Sequence, residues 1–255
     1  MSECVVEHRQ PGHLAFHQAL PMEVAYQPVF DIGKRMPTVV AYESLLRTCR
    51  PWCGETLYRL IKDAEVDGSI VELDKWVIGT VRNALSANPQ LRVCINASQR
   101  SLADHGYLEH VISILGVAQI QGRVMIEVTE SAWTNLQAVK AGISMLSGSN
   151  LKVVIDDIDD GYAKRSLIGF DHVTGCKISR RTTAQIAQDR SARDYLGKFS
   201  SWCQEHKKTL VVEGVETNLE LSIIRDFGVE LCQGFLLGNA TRLADIPAMG
   251  STVLA

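Results

Sequence analysis

The sequence predicts an α/β fold, a TIM-like (β/α)8 barrel whose first strand runs antiparallel. Three observations lead there. Eight short apolar runs alternate with longer amphipathic stretches, the pattern of a parallel sheet with helical crossovers. The length, 255 residues, suits one such barrel. Only seven residues, DIGKRMP, separate the first two runs. A helical crossover needs about a dozen or more, so this first pair is antiparallel.

The strand-like runs are 24–30 (VAYQPVF), 38–46 (TVVAYESLL), 91–97 (LRVCINA), 123–129 (RVMIEVT), 152–158 (KVVIDDI), 173–179 (VTGCKIS), 209–215 (TLVVEGV) and 231–237 (LCQGFLL). Helical patterning covers 55–87, 100–117, 134–147, 181–206 and 218–227. Thr217 with Glu220 reads as a capping box opening the last of these, and Thr134 with Gln137 is a weaker start signal. Residues 1–20 are weakly patterned and read as an N-terminal extension; residues 21–255 read as one barrel domain without linker or repeat.

Composition narrows the class. The chain is 46% hydrophobic and 22% charged with net charge −3, so it carries no general attraction for DNA or an anionic membrane surface. No run approaches the roughly 18 apolar residues of a spanning helix, and the N-terminus lacks the charged-then-apolar order of a leader. Seven scattered cysteines, an odd number, favour reduced thiols and a cytoplasmic location. Cys49 and Cys53 are spaced like half of a metal site, but nothing nearby in the sequence completes it.

The placement of polar residues points to chemistry. Glu43, Asn96, Glu127, Asp156, Asp157 and Glu213 close apolar runs, and Lys177 lies inside another. A single acid at a loop start is ordinarily solvated. Several on different strands of one barrel converge at the C-terminal face, where such barrels carry their chemistry. Oxygen donors in this number, with no histidine or cysteine cluster among them, suit Mg²⁺ or Mn²⁺. Asp156 and Asp157 are adjacent, so both reach the mouth only if they stand at the strand's very end. Two such cations clamp a phosphodiester and acidify the attacking water. A buried ammonium at Lys177 requires anionic neighbours.

These residues resemble the EAL-domain cyclic-di-GMP phosphodiesterases, over about residues 22 to 240. Tyr26-Gln27-Pro28 is similar to the family's YQP, and Glu43-Ser44-Leu45-Leu46-Arg47 matches its ExLxR, with serine where the name-giving alanine stands. Asn96 lies in a run similar to its asparagine strand, and Glu127-Val128-Thr129-Glu130-Ser131 resembles ELTES. Asp156-Asp157 with Gly161-Tyr162 brackets its DDF loop, and Lys177-Ile178 resembles the start of KID. Glu213-Gly214-Val215-Glu216-Thr217 matches EGVET, and Gln233-Gly234-Phe235 resembles QGY.

The resemblance implies a stand-alone enzyme that hydrolyses one phosphodiester of cyclic di-GMP to linear pGpG. By that resemblance Glu43, Asn96, Glu127, Asp156 and Asp157 hold the metals, while Lys177 and Glu213 orient or activate water. Gln27, Arg47 and Gln233 contact substrate, and Glu130 and Glu216 support the site. It also implies a homodimer through the loop after Asp157; with few residues ahead of the barrel, control is expected from expression, oligomerisation or a separate protein regulator.

Two departures stand out. Residues 158–162 read Ile-Asp-Asp-Gly-Tyr where the family has Phe-Gly-Thr-Gly-Tyr, which places the carboxylates of Asp159 and Asp160 beside the metals and in the path of an anionic substrate. Ser179 replaces the family's aspartate, which shares a strand face with the lysine; Lys177 is then left to pair with Asp157 or Glu213. These departures leave a second reading open, a catalytically weak receptor of cyclic di-GMP or of a protein. A third is a barrel hydrolase acting on another phosphodiester.

Overall fold

In the computed structural model, residues 22–48, 54–129, 135–159 and 166–252 are described. Eight strands close into a barrel in chain order. They are β1 Met22–Asp31, β2 Thr38–Thr48, β3 Val93–Ala97, β4 Val124–Val128, β5 Lys152–Ile155, β6 Val173–Ile178, β7 Thr209–Val212 and β8 Leu231–Cys232. β1 is antiparallel to both β2 and β8, and every other neighbouring pair is parallel. The short first connection therefore is a hairpin, as its length requires.

The helices are α1 Gly54–Asp67, α2 Ile70–Ala87, α3 Gln99–Leu102, α4 His105–Leu115, α5 Leu136–Gly148, α6 Arg180–Thr183, α7 Arg190–Glu205 and α8 Asn218–Asp226. Three predicted helical stretches are each broken in two. The break at Gly68 (φ 91°) separates α1 from α2, and glycine reaches that left-handed backbone without a Cβ clash. Side-chain caps start three of these segments, α3, α4 and α7: Ser98 accepts from Ser101, Asp104 from Tyr107 and Asp189 from Ser191. The capping box at Thr217 and Glu220 forms as expected. Asn135, accepting from the Gln137 amide, caps α5; Thr134 lies outside the described residues.

Two strands depart from their predicted lengths. β2 runs on to Thr48, because its hairpin with β1 pairs all the way to Met22, so Glu43 sits in mid-strand rather than at a strand end. β8 stops at Cys232: the chain turns at Gly234, whose carbonyl accepts from the Leu237 and Gly238 amides.

The main core fills the space between strands and helices, with residues such as Ile95, Ile126, Ile155, Val212, Leu102 and Leu196. A second, separate cluster gathers Val29, Ala41 and Val211, with Met125 and Leu231 against it. Ala41, Met125 and Val211 stand two residues before Glu43, Glu127 and Glu213, so they share those residues' faces. The barrel interior thus has an apolar layer directly beneath its acids. Among the described residues, no helix is long and apolar enough to cross a membrane.

Candidate active site

Lys177 stands at the centre of the acidic mouth. Only 1% exposed, it donates to Glu43 Oε2 at 3.0 Å and Glu127 Oε2 at 2.9 Å. Asp156 Oδ1 lies 3.4 Å away, and Glu213 completes the ring of carboxylates. β2, β4, β6 and the turns after β5 and β7 supply these five side chains. Gln233, just past β8, donates from Nε2 to Glu43 at 2.6 Å and to Glu213 at 3.2 Å. Asn96 donates to the other Glu43 oxygen at 3.0 Å.

One ammonium cannot neutralise four carboxylates. Burial disfavours the charge on Lys177, but Asp156, Glu127, Glu213 and Glu43 outweigh it and hold its pKa well above the ordinary value. Burial pushes Glu127 up to about 8 against the pull of Lys177, with Glu43 and Asp156 adding repulsion. Glu213 is raised well above the carboxylate range, first by burial. Burial also opposes ionisation of Glu43, yet Lys177, Gln233 and Asn96 together hold its pKa below the usual value. The mouth holds more acids than its one ammonium can keep ionised, and further cations would favour their charged forms.

The donors fit a divalent ion. Oxygens of Asp156, Asp157 and Glu213 lie within 4.8 Å of one another. Asp157 adopts φ 45°, a left-handed turn that lets two adjacent aspartates join one mouth. Asn96 Oδ1 and Gln233 Oε1 are buried without a hydrogen-bond partner, and buried acceptors of this kind are uncommon unless something else binds them. Hard oxygen ligands are what Mg²⁺ and Mn²⁺ take.

Glu43, Asn96, Glu127, Asp156, Lys177, Glu213 and Gln233 are thus linked by direct contacts, and Asp157 stands beside Asp156 and Glu213. Gln27 pairs with Glu43 in the β1–β2 register and donates to the Gly238 carbonyl at 3.3 Å. Arg47 lies apart: it is exposed and donates to the Leu46 carbonyl beside it. Glu216 turns to Arg180 at 2.8 Å. Glu130, Asp160, Gly161, Tyr162, Cys49 and Cys53 fall outside the described residues.

The two departures meet each other. Asp159 is 8% exposed, and its carboxylate accepts from the Ser179 amide at 2.9 Å, from Ser179 Oγ at 2.7 Å and from Thr182 Oγ1. Donors at the start of α6 take up its carboxylate, so it is not the unpartnered charge that the sequence suggested. Ser179 leaves no deficit at Lys177, which has Glu213 and three more carboxylates. Sequence reasoning missed Arg180. It donates to the Gly214 carbonyl at 2.7 Å and to Glu220 at 2.9 Å, and an arginine in a polar stretch gave no signal of this.

A closed α/β barrel with a lysine ringed by acids at its strand ends is a barrel whose mouth is built of hard oxygen donors. A family model described as EAL domain matches residues 15–240. The chain belongs to the EAL domain family. It is 26% identical over 231 residues to cyclic di-GMP phosphodiesterase NbdA of Pseudomonas aeruginosa, covering 88% of this chain and 29% of that protein. It is 25% identical over 209 residues to the bifunctional diguanylate cyclase/cyclic di-GMP phosphodiesterase MucR of the same organism, covering 79% and 30%. The chain spans about a third of the length of such relatives. Among solved structures, the PaMucR phosphodiesterase in complex with c-di-GMP superposes with a TM-score of 0.73 at 25% identity, covering 86% of this chain and 92% of that one. The Xanthomonas citri FimX EAL domain in complex with c-di-GMP has a TM-score of 0.74 at 20% identity, covering 89% and 90%, and supports the fold.

Proposed function

We propose that this chain hydrolyses one phosphodiester of cyclic di-GMP to linear pGpG with two Mg²⁺ or Mn²⁺ ions. The observation that carries the reading is the ring of carboxylates around Lys177, with the unpartnered Asn96 Oδ1 beside it, in a chain of the EAL domain family. Glu43, Asn96, Glu127, Asp156 and Asp157 would hold the ions, which supply Lewis acidity toward the phosphate and the attacking water. Lys177 and Glu213 orient that water. Its oxygen bonds to phosphorus, the P–O3′ bond breaks, and the proton ends on the freed 3′ oxygen. Gln27 and Gln233 face the substrate, and Arg47, free to swing from Leu46, reaches a phosphate with its two-pronged guanidinium. Glu216 supports the turn after Glu213, and Glu130 the loop after Asp157, where a homodimer contact belongs to the same proposal.

The receptor reading rested on Asp159 and Ser179. Their mutual bonding leaves the partners of Lys177 intact and weakens that argument. Incubation of the purified chain with cyclic di-GMP and Mg²⁺ or Mn²⁺ should yield pGpG, and Glu43→Ala should abolish it. Nucleotide binding without product at high protein concentration would establish the receptor instead.

A further inference from the structure

The four residues after Ile178 grip both acidic turns at once. On one side, Ser179 and Thr182 bind the carboxylate of Asp159, two residues beyond Asp157, and Arg181 donates to the Asp159 carbonyl at 3.2 Å. On the other, Arg180 binds the carbonyl of Gly214, which directly follows Glu213, and ties down Glu216 and Glu220. Gly214 has φ 65°, and a Cβ there would collide with the Arg180 side chain, so the guanidinium stem lies flat against this turn. The turn itself is anchored to Lys177, two residues before Ser179. Asp156 and Asp157 come from one gripped turn and Glu213 from the other, and their oxygens lie within 4.8 Å of one another.

We propose that Asp159 and Arg180 are positioning residues that act together through α6. They set the spacing of Asp156 and Asp157 against Glu213, and with it the affinity for a divalent cation. This rests on the proposed cation site, in which Asp156 and Asp157 hold the ion and Glu213, close enough to join them, faces its water. A cation site requires its donors at fixed separations, and turns hold those separations only when something outside them does. β5 and β7 are not neighbours in the barrel; β6 lies between them, and the residues that continue β6 are the ones that hold both turns. Asp159 and Ser179, the two departures from the family pattern, are the two ends of one contact in this chain. The carboxylate is that of Asp159, and the hydroxyl bonded to it is that of Ser179.

The test is Mn²⁺ titration of the whole chain by calorimetry, alongside thermal unfolding. Asp159→Asn and Arg180→Lys keep size or charge but lose acceptors or the forked contact. Each should weaken Mn²⁺ binding by about tenfold or more, measured well below its melting temperature. The double variant should lose less than the product of the two, because both act through one turn. Adding Ser179→Asp to Asp159→Asn should recover part of the affinity. Unchanged Mn²⁺ binding in both single variants, with only melting temperatures lowered, would reduce the grip to a structural role and overturn the proposal. Independent, multiplying losses would overturn the joint action. An unaltered chain that does not bind Mn²⁺ would sink this proposal and the cation site together. Tight Mn²⁺ binding without hydrolysis of cyclic di-GMP would remove only the proposed reaction.

Discussion

Lys177 Nζ and Glu127 Oε2 meet at 2.9 Å, although β5 lies between their strands. The lysine side chain crosses the barrel interior to reach that acid, and it serves Glu43, Asp156 and Glu213 from the same position. Replacing it by an apolar residue strands several buried acids without a counter-charge. Lys177→Met is expected to cost about 3–5 kcal/mol in urea unfolding. Millimolar Mn²⁺ should return part of that stability by supplying the missing positive charge. Equal stability with and without Mn²⁺ would show that cations do not enter this ring.

Asp74 on α2 gives a pH-dependent contribution. It accepts from the Ser98 amide at 3.0 Å and from Ser101 Oγ at 2.6 Å, and so pins the turn two residues beyond Asn96. Burial raises its pKa from 3.8 to about 6, against the hydrogen bonds from Ser101 and Ser98. A carboxyl raised in the folded state holds its proton more tightly there than in the unfolded chain. Its stabilisation is full below about pH 4 and is lost as pH climbs through about 6. Asp74→Asn should flatten the stability profile across that window. An identical slope in chain and variant would mean that Asp74 does not titrate there.

Gly234 allows the turns bearing Glu213 and Gln233 to lie together. The Val215 amide donates to the Gln233 carbonyl at 3.0 Å and the Leu236 amide to the Val215 carbonyl at 3.0 Å. A Cβ at 234 would collide with the Val215 backbone. Gly234→Ala should destabilise the chain by about 1–3 kcal/mol and reduce pGpG formation more than Gly169→Ala, whose Cβ would meet nothing within 4 Å. Equal effects of the two would refute this close-packing account.

Arg47 tests whether an exposed side chain reaches the substrate. Its exposed guanidinium donates to the neighbouring Leu46 carbonyl at 2.9 Å, so truncation removes little from the fold. A charge-assisted contact to phosphate contributes about 1.5–3 kcal/mol. Arg47→Ala should therefore raise KM for cyclic di-GMP about tenfold or more while melting temperature and Mn²⁺ affinity hold. An unchanged KM would leave Arg47 outside the substrate site.

The acids were readable because each ends or interrupts an apolar run, and strand periodicity fixes the face it takes. The demand of Lys177 for anionic neighbours followed from burial alone. Glu43 was harder to place: an antiparallel partner carries β2 past the rim, and hairpin length does not show in the run itself. Asp159 and Ser179 were each visible as unusual, yet twenty positions separate them, so only the folded chain shows that they bond each other. Arg180 looks like any solvated helix residue until Gly214 is found beneath it. Gly68 and the capping acids Asp104 and Asp189 are the sequence signals that mark where the long helical stretches divide.

The reversed direction of β1 has a consequence for how this barrel is joined to other things. Met22 pairs with Thr48 at the end of β2 and so stands at the same end as Asn96 and Glu127. In an all-parallel barrel the first strand would open at the opposite end. Here the start of the first strand and the acidic mouth share one side. A module joined directly to Met22 would be tethered beside that mouth, like an awning over a door, whereas one inserted in the loop after Asp31 would be attached at the back.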